Sequence, residues 1–190
     1  MPDLSLAPSR RTILKGLTGL ALTTAATTLL PQGPAFAHSL DGSPRTLAFR
    51  NLHTGDALDV VYWAEGRYQP EALKQLDYVM RDWRSGEVAP IDSKLFDRLH
   101  LLRKELESDA TFEIVSGYRS PATNAQLREK SNGVAKRSLH MKGQAIDVAL
   151  PGRRLSDLRE TAMRLRLGGV GYYPKSGFIH LDTGRVRSWG

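Results

Sequence analysis

Hydrophobic and polar positions change rhythm several times along this chain of 190 residues, and each change marks an element. Residues 46–52 and 57–63 are apolar runs flanking the turn-forming His53-Thr54-Gly55-Asp56, which together predict a β-hairpin. Pro70 opens a segment in which Leu73, Leu76, Met80 and Trp83 recur at helical spacing until Gly86 stops it. Asp92 has the character of an N-cap for a second helix, with Leu95, Phe96, Leu99, Leu102 and Leu106 along one side. A strand over 111–118 and a short helix from Ser120 and Pro121 to about Ser131 follow. Residues 145–150 alternate as a strand that carries Ala145, Asp147 and Ala149 on one face. Pro151-Gly152 breaks it. Leu158, Ala162 and Leu165 then mark a helix over 156–167, closed by Gly168-Gly169. The last two strands, 170–173 and 178–182, flank the turn Pro174-Lys175-Ser176-Gly177. Unevenly distributed helices among strands that hairpins can mostly connect imply an α+β fold, with helices packed on a central, mainly antiparallel sheet.

The chain before this pattern reads as an address. Ser9-Arg10-Arg11-Thr12-Ile13-Leu14-Lys15 is a twin-arginine signal, followed by an apolar stretch over 17–30 and by Ala35-Phe36-Ala37, which predicts cleavage after Ala37. The apolar stretch is shorter than the roughly 20 residues a spanning helix needs and is diluted by threonines, so a removed signal is expected, with membrane contact only during export. Residues 38–44 form a flexible lead-in, and 45–190 form one domain of adequate size for its own core. The formal charge of +7 survives removal of the leader in large part. In an exported protein this suits an anionic cell wall and makes nucleic acid an unsuitable partner. With no cysteine in the chain, disulfides and thiolate metal ligands are excluded, so any metal must rest on histidine and carboxylate.

Two histidines and a carboxylate stand out. In Ser138-Leu139-His140-Met141-Lys142-Gly143-Gln144-Ala145-Ile146-Asp147, Gly143 allows a tight turn or close backbone approach after His140, and Asp147 shares its strand face with small residues. In the strand 178–182, His180 and Asp182 lie on one face and Ile179 and Leu181 on the other. His140, Asp147 and His180 are the donor set of an open, three-ligand zinc site in which water completes the coordination. On spacing alone, satisfied core histidines are an equally good account. His53 sits in a turn and is read as structural; His100 is read as a packing or surface residue.

Longer motifs carry a resemblance. Ser138-x-His140-x-x-Gly143-x-Ala145-x-Asp147 followed by a histidine on a late strand resembles the zinc D-alanyl-D-alanine carboxypeptidase family, whose fold is shared with the hedgehog signalling domain. The runs Asn51-Leu52-His53-Thr54-Gly55, Ser116-Gly117-Tyr118-Arg119-Ser120-Pro121 with Asn124, and Gly169-Val170-Gly171-Tyr172-Tyr173-Pro174 leading to Gly177-Phe178-Ile179-His180-Leu181-Asp182-Thr183-Gly184 and Trp189 narrow it to the murein endopeptidase K branch. The likeness covers nearly all of the chain after about residue 44.

The resemblance implies a hedgehog/DD-peptidase-like fold and a Zn2+ ion on His140, Asp147 and His180 that activates water and polarises an amide carbonyl. It implies a periplasmic or otherwise exported hydrolase cutting peptidoglycan stem peptides, at cross-bridges involving meso-diaminopimelate. Trimming of a terminal D-alanine, or zinc-stabilised binding of the cell wall without hydrolysis, are the alternatives. Arg119 is the expected ligand for a substrate carboxylate or the developing oxyanion. Ser138 either hydrogen-bonds the substrate or braces the His140 loop. Relatives place a glutamate base three residues before the last histidine, where this chain has Gly177. Asp182 is the substitute for that base or, equally, the acceptor that orients a ligand histidine. Tyr118, Asn124 and Trp189 are expected in structural or groove-wall positions.

Overall fold

The expected hairpin forms from β1 (Arg45–Asn51) and β2 (Ala57–Ala64), paired antiparallel around the turn that holds His53. The computed structural model describes residues 42–131 and 133–190. The expected leader, its cleavage site, most of the lead-in and Asn132, first residue of the basic segment 132–137 that carries Lys136 and Arg137, lie outside the described residues. The remaining strands are β3 (Arg67–Tyr68), β4 (Phe112–Ser116), β5 (Ala145–Ala149), β6 (Gly169–Tyr173), β7 (Phe178–Asp182) and β8 (Arg187–Trp189). They build one eight-stranded sheet in the order β3-β2-β1-β4-β5-β7-β6-β8. Pairing is antiparallel except for β1 with β4 and β6 with β8. The first exception follows from the chain between them, since β2, β3 and two helices provide the long crossover that a parallel pair requires.

Four helices accompany the sheet among the described residues: α1 (Pro70–Val79), α2 (Ser93–Glu105), α3 (Pro121–Lys130) and α4 (Leu155–Arg164). This is the α+β arrangement that the pattern implied. Alternation along the strands divides the sheet into two faces. Leu47, Phe49, Phe112, Ile114, Ile146, Val148, Ile179 and Leu181 join the buried apolar cluster with Leu76 of α1, Leu95, Phe96, Leu99 and Leu102 of α2, and Leu158 and Ala162 of α4. Burying each such large side chain contributes about 1.5–3 kcal/mol before chain entropy is counted. The opposite parity, Asp147 on β5 with His180 and Asp182 on β7, is left for chemistry.

The N-terminus of α2 is tied to the same region. The Asp92 carboxylate accepts from Lys94 N–H as the cap and from the Thr183 hydroxyl at 2.8 Å, while Asp92 N–H donates to the Gly143 carbonyl at 2.8 Å. Gly143 has φ +64°, and a Cβ there would lie 2.1 Å from the Pro90 carbonyl oxygen. The close approach expected of this glycine is therefore present, together with the left-handed turn.

Two elements depart from the pattern. Helix α1 stops at Val79 rather than running on to Gly86, because the carbonyl of Met80 is taken by Tyr118 N–H at 2.7 Å and Asp82 competes for backbone donors. The buried Asp82 carboxylate accepts from Arg84 N–H at 3.0 Å and from Ser120 N–H at 2.9 Å. Trp83 then leaves the helical stripe and stacks on His53, with ring centroids 4.0 Å apart. Beyond residue 182, β8 is a further strand that the apolar pattern does not signal; its three residues pair with β6 alone.

Asp82 thus fastens the loop after α1 to the segment leading into α3. Burial raises its pKa, but hydrogen bonds from Thr123, Ser120 and Arg84 outweigh burial and hold it below the usual carboxylate value. A depressed folded-state pKa contributes stability that is complete above the unfolded value of about 3.9 and is lost as pH falls through the folded value. Asp82→Ala, which leaves the buried Ser120 N–H unpaired and hands the exposed Arg84 N–H to water, is expected to cost about 1–3 kcal/mol at pH 6 by urea denaturation. The gap between wild type and variant is expected to narrow as the pH falls below about 4.

Candidate metal centre

The register of the sheet assembles the site. Asp147 on β5 lies directly across from His180 on β7, and the same rank continues to Ser116 on β4, to Gly171 on β6 and to Trp189 on β8. His140 arrives from outside the sheet, on a single 3-10 turn, Leu139–Lys142. The Ser138 hydroxyl caps that turn by accepting His140 N–H at 3.3 Å, and Gly143 ends it. The peptide of Arg119 holds the turn to the loop after β4, its N–H donating to the His140 carbonyl at 3.2 Å.

Three donor atoms meet here. His140 Nε2 lies 3.1 Å from His180 Nδ1 and 3.3 Å from Asp147 Oδ1, and His180 Nδ1 lies 2.9 Å from Asp147 Oδ1. All three residues are buried. The far side of each imidazole is also engaged. His140 Nδ1 is 2.7 Å from the Gly117 carbonyl, which can only accept, so Nδ1 carries the proton and Nε2 presents its lone pair. His180 Nε2 is 3.1 Å from Asp182 Oδ2, which gives Nε2 a proton and turns Nδ1 inward.

The Asp182 carboxylate is fully buried and accepts from Gly169 N–H, Gly184 N–H and both terminal nitrogens of Arg187, besides His180. Burial opposes its ionisation, but the hydrogen bonds from His180, Arg187 and Gly184 win and hold it far below the usual range. Asp147 is likewise held low, burial being outweighed by His140 and His180.

This arrangement suits a divalent cation. Three lone pairs converge in a buried place, and only a positive charge between them removes the repulsion. Zinc with bonds of about 2.0–2.1 Å and tetrahedral angles would set its ligand atoms about 3.3 Å apart, close to the separations found. His140, Asp147 and His180 form a group of the described residues whose ligand atoms all lie within 4.8 Å of one another.

The site opens into a cavity of about 330 Å³ bordered by Arg119, Ser138, Phe178, Tyr173 and Trp189. Arg119 is weakly engaged for a largely buried guanidinium. Its closest side-chain contacts are Ser116 Oγ at 3.4 Å, Asn124 Oδ1 at 3.5 Å and Asp147 Oδ2 at 3.9 Å, and its Nε has no partner. Asn124 also donates to the Ala135 carbonyl, linking Arg119 to the basic loop. Trp189 lines the cavity and donates from Nε1 to the Tyr173 hydroxyl at 2.9 Å. Gly177 sits in an open turn at φ +76°, where a Cβ would meet no atom within 4 Å. His53 stacks on Trp83, and His100 contacts the Thr46 carbonyl, both apart from the site.

Sequence reasoning missed the Gly117 carbonyl, Arg187, Tyr173 and Phe178 as parts of the site. Gly117 lies inside the Ser116–Pro121 motif, yet a backbone acceptor leaves no side-chain signal. Arg187 belongs to a strand too short and polar to be recognised by alternation.

Burial lowers the His180 pKa, but hydrogen bonds to Asp147 and Asp182 prevail and raise it above 6.5. In chelator-treated protein this contribution to stability is complete below about pH 6.5 and lost as pH rises through the raised value. Zinc competes with the same proton, so the increase in Tm on adding zinc is expected to grow between pH 6 and 8 in calorimetry. Gly117→Ala places a methyl 2.3 Å from the Met80 carbonyl oxygen and must shift the acceptor of His140. Zinc affinity is expected to fall about 10–100-fold in a chelator competition.

Comparison with known proteins agrees in extent with these features. The family model described as peptidoglycan L,D-endopeptidase MepK matches residues 39–189. The peptidoglycan L,D-endopeptidase MepK of Escherichia coli strain K12 is 44% identical over 181 residues, 95% of this chain and 97% of that protein. That of Shigella flexneri matches with the same figures. The probable peptidoglycan L,D-endopeptidase MepK of Haemophilus influenzae is 46% identical over 147 residues, 77% of this chain and 79% of that protein. The matched span includes every strand and helix among the described residues and His140, Asp147 and His180, and the chain belongs to the peptidoglycan L,D-endopeptidase MepK family.

Proposed function

We propose that this protein is an exported zinc-dependent peptidoglycan endopeptidase that hydrolyses amide bonds in the cross-bridges between stem peptides, those involving meso-diaminopimelate. The observation that carries the reading is the convergence of His140 Nε2, Asp147 Oδ1 and His180 Nδ1 beside a cavity that Arg119 borders. The substrate class rests on the relatives, which are named as peptidoglycan L,D-endopeptidases. We further propose that residues 1–37 are a twin-arginine leader, that the protein acts in the periplasm, and that residues 45–190 are the catalytic domain. Its eight-stranded mixed sheet with four helices is compatible with the hedgehog/DD-peptidase-like fold.

His140, Asp147 and His180 would hold the ion. When bound, zinc supplies Lewis acidity, polarising the scissile carbonyl and making water available as a nucleophile near neutral pH. The chain supplies orientation and charge around it. Gly117 fixes the tautomer of His140 through its carbonyl. Arg119, with an unpaired Nε and long contacts at its terminal nitrogens, has donors to spare for a substrate carboxylate or the oxyanion that develops during attack. The Ser138 hydroxyl accepts from His140 N–H and keeps its own proton to donate into the cavity. Of the two roles considered for Asp182, the buried carboxylate with five hydrogen bonds supports positioning of His180 over proton transfer.

Purified protein incubated with cross-linked muropeptide dimers and zinc is expected to yield monomers by mass spectrometry. His140→Ala is expected to lower the rate at least about 100-fold, and Arg119→Ala about 100- to 1000-fold. Release of a single D-alanine would make the protein a carboxypeptidase. Unchanged muropeptides with zinc bound would make it a cell-wall binding module.

A further inference from the structure

Arg187 lies beyond the proposed metal ligands, on the terminal strand β8; besides an Nη1 donation to the Arg185 carbonyl at 3.0 Å, its side chain engages the groups behind them. Its Nη2 is 2.6 Å from Asp182 Oδ2 and its Nη1 is 3.1 Å from Asp182 Oδ1, so the planar fork spans both carboxylate oxygens. Asp182 Oδ2 is the atom that receives His180 Nε2. The same guanidinium sits over the Trp189 ring, 5.0 Å from its centroid, and that ring lies 5.2 Å from the ring of His180.

We propose that Arg187 is a positioning residue of the metal centre: by clamping Asp182 and backing Trp189 it holds the edge and the flank of the His180 imidazole, so that Nδ1 faces the metal. The assignment rests on the metal reading given above.

The fold makes room for this arrangement at two glycines of one strand. The register sets Arg187 beside Gly169 and Trp189 beside Gly171. A Cβ on Gly169 would lie 2.3 Å from Arg187 Nη1 and 2.3 Å from Asp182 Oδ2, and one on Gly171 would lie 2.7 Å from the Trp189 ring. Gly169-Val170-Gly171 therefore opens two hollows on one face, one for the ion pair and one for the indole.

An ordinary surface salt bridge would not have this reach. The Arg187 side chain keeps one third of its exposure, but Asp182 has none. Removing the arginine takes the bidentate donor from a buried carboxylate and leaves Oδ2 held by His180 alone, while Gly169 N–H and Gly184 N–H still hold Oδ1. Arg98 does not replace it, because Arg98 Nη1 donates to the Asp182 carbonyl and the Leu167 carbonyl, not to the carboxylate. Lysine is a poor substitute, since a point charge cannot bridge both oxygens.

The test uses the full chain, with zinc affinity read by competition with a chromophoric chelator and turnover read on cross-linked muropeptides. Arg187→Ala is expected to bind zinc about 10–100-fold more weakly and, at saturating zinc, to lose kcat with KM within about twofold of wild type. Arg187→Lys is expected to recover part of both and serves alone should the alanine variant fail to fold. In an Asp182→Asn background, Arg187→Ala is expected to add little further loss, because the two act in series. Unchanged zinc affinity in folded Arg187→Ala overturns the proposal, whether KM rises, as for a substrate contact, or only Tm falls, as for a structural brace. Wild-type protein that fails to bind zinc overturns the metal reading and this assignment with it. Wild-type binding with unaltered affinity in the variants overturns this assignment alone.

Discussion

Three acceptors facing one another in a buried place are the constraint on which this molecule turns. Left alone, the lone pairs of His140 Nε2 and His180 Nδ1 and an oxygen of Asp147 repel, and nothing local in the chain would bring them together. They are held by what lies behind them. A backbone carbonyl at Gly117 takes the outer proton of one imidazole and the Asp182 carboxylate takes that of the other. Those two acceptors are fixed by further contacts, to Met80, Gly169, Gly184 and Arg187, so the geometry of three atoms depends on chain segments from residue 80 to residue 187.

The sheet provides the stiffness. One face is filled by the buried side chains of β1, β4, β5 and β7 against α1, α2 and α4, and this apolar burial supports the cost of placing charged groups on the other. Because strand side chains alternate, the residues that hold the core also set the direction of Asp147, His180 and Asp182. A slip of one residue between β5 and β7 would exchange the faces and bury isoleucine and leucine in the site.

The position three residues before His180, where the family resemblance implies a glutamate base, is Gly177, in an open turn where a Cβ would meet no atom within 4 Å. Around the centre the chain instead offers Arg119 with unused donors, the Ser138 hydroxyl and a wall of Tyr173, Phe178 and Trp189. A cationic and aromatic cleft of this kind suits a peptide that carries free carboxylates, as cross-bridges of peptidoglycan do. Family membership and site chemistry thus point to the same class of substrate.

Much of this was legible in the residues. The hairpin, the Asp92 cap, the two site strands and the turn at Gly143 follow from local periodicity and turn chemistry, which depend on neighbours a few positions apart. On spacing alone the donor set stood level with satisfied core histidines, and the longer motifs that carry the family resemblance singled out His140, Asp147 and His180. Other features were settled by partners distant in sequence. Helix α1 ends early because Tyr118 and Ser120 claim groups near Met80 and Asp82. Gly117 and Arg187 serve the centre through a carbonyl and an ion pair that no spacing announces. Asp182, open to two roles in the sequence, is fully enclosed by donors from β6, β8 and its own turn. Local pattern determines which residues share a face; only the folded register determines which faces and which backbone groups meet.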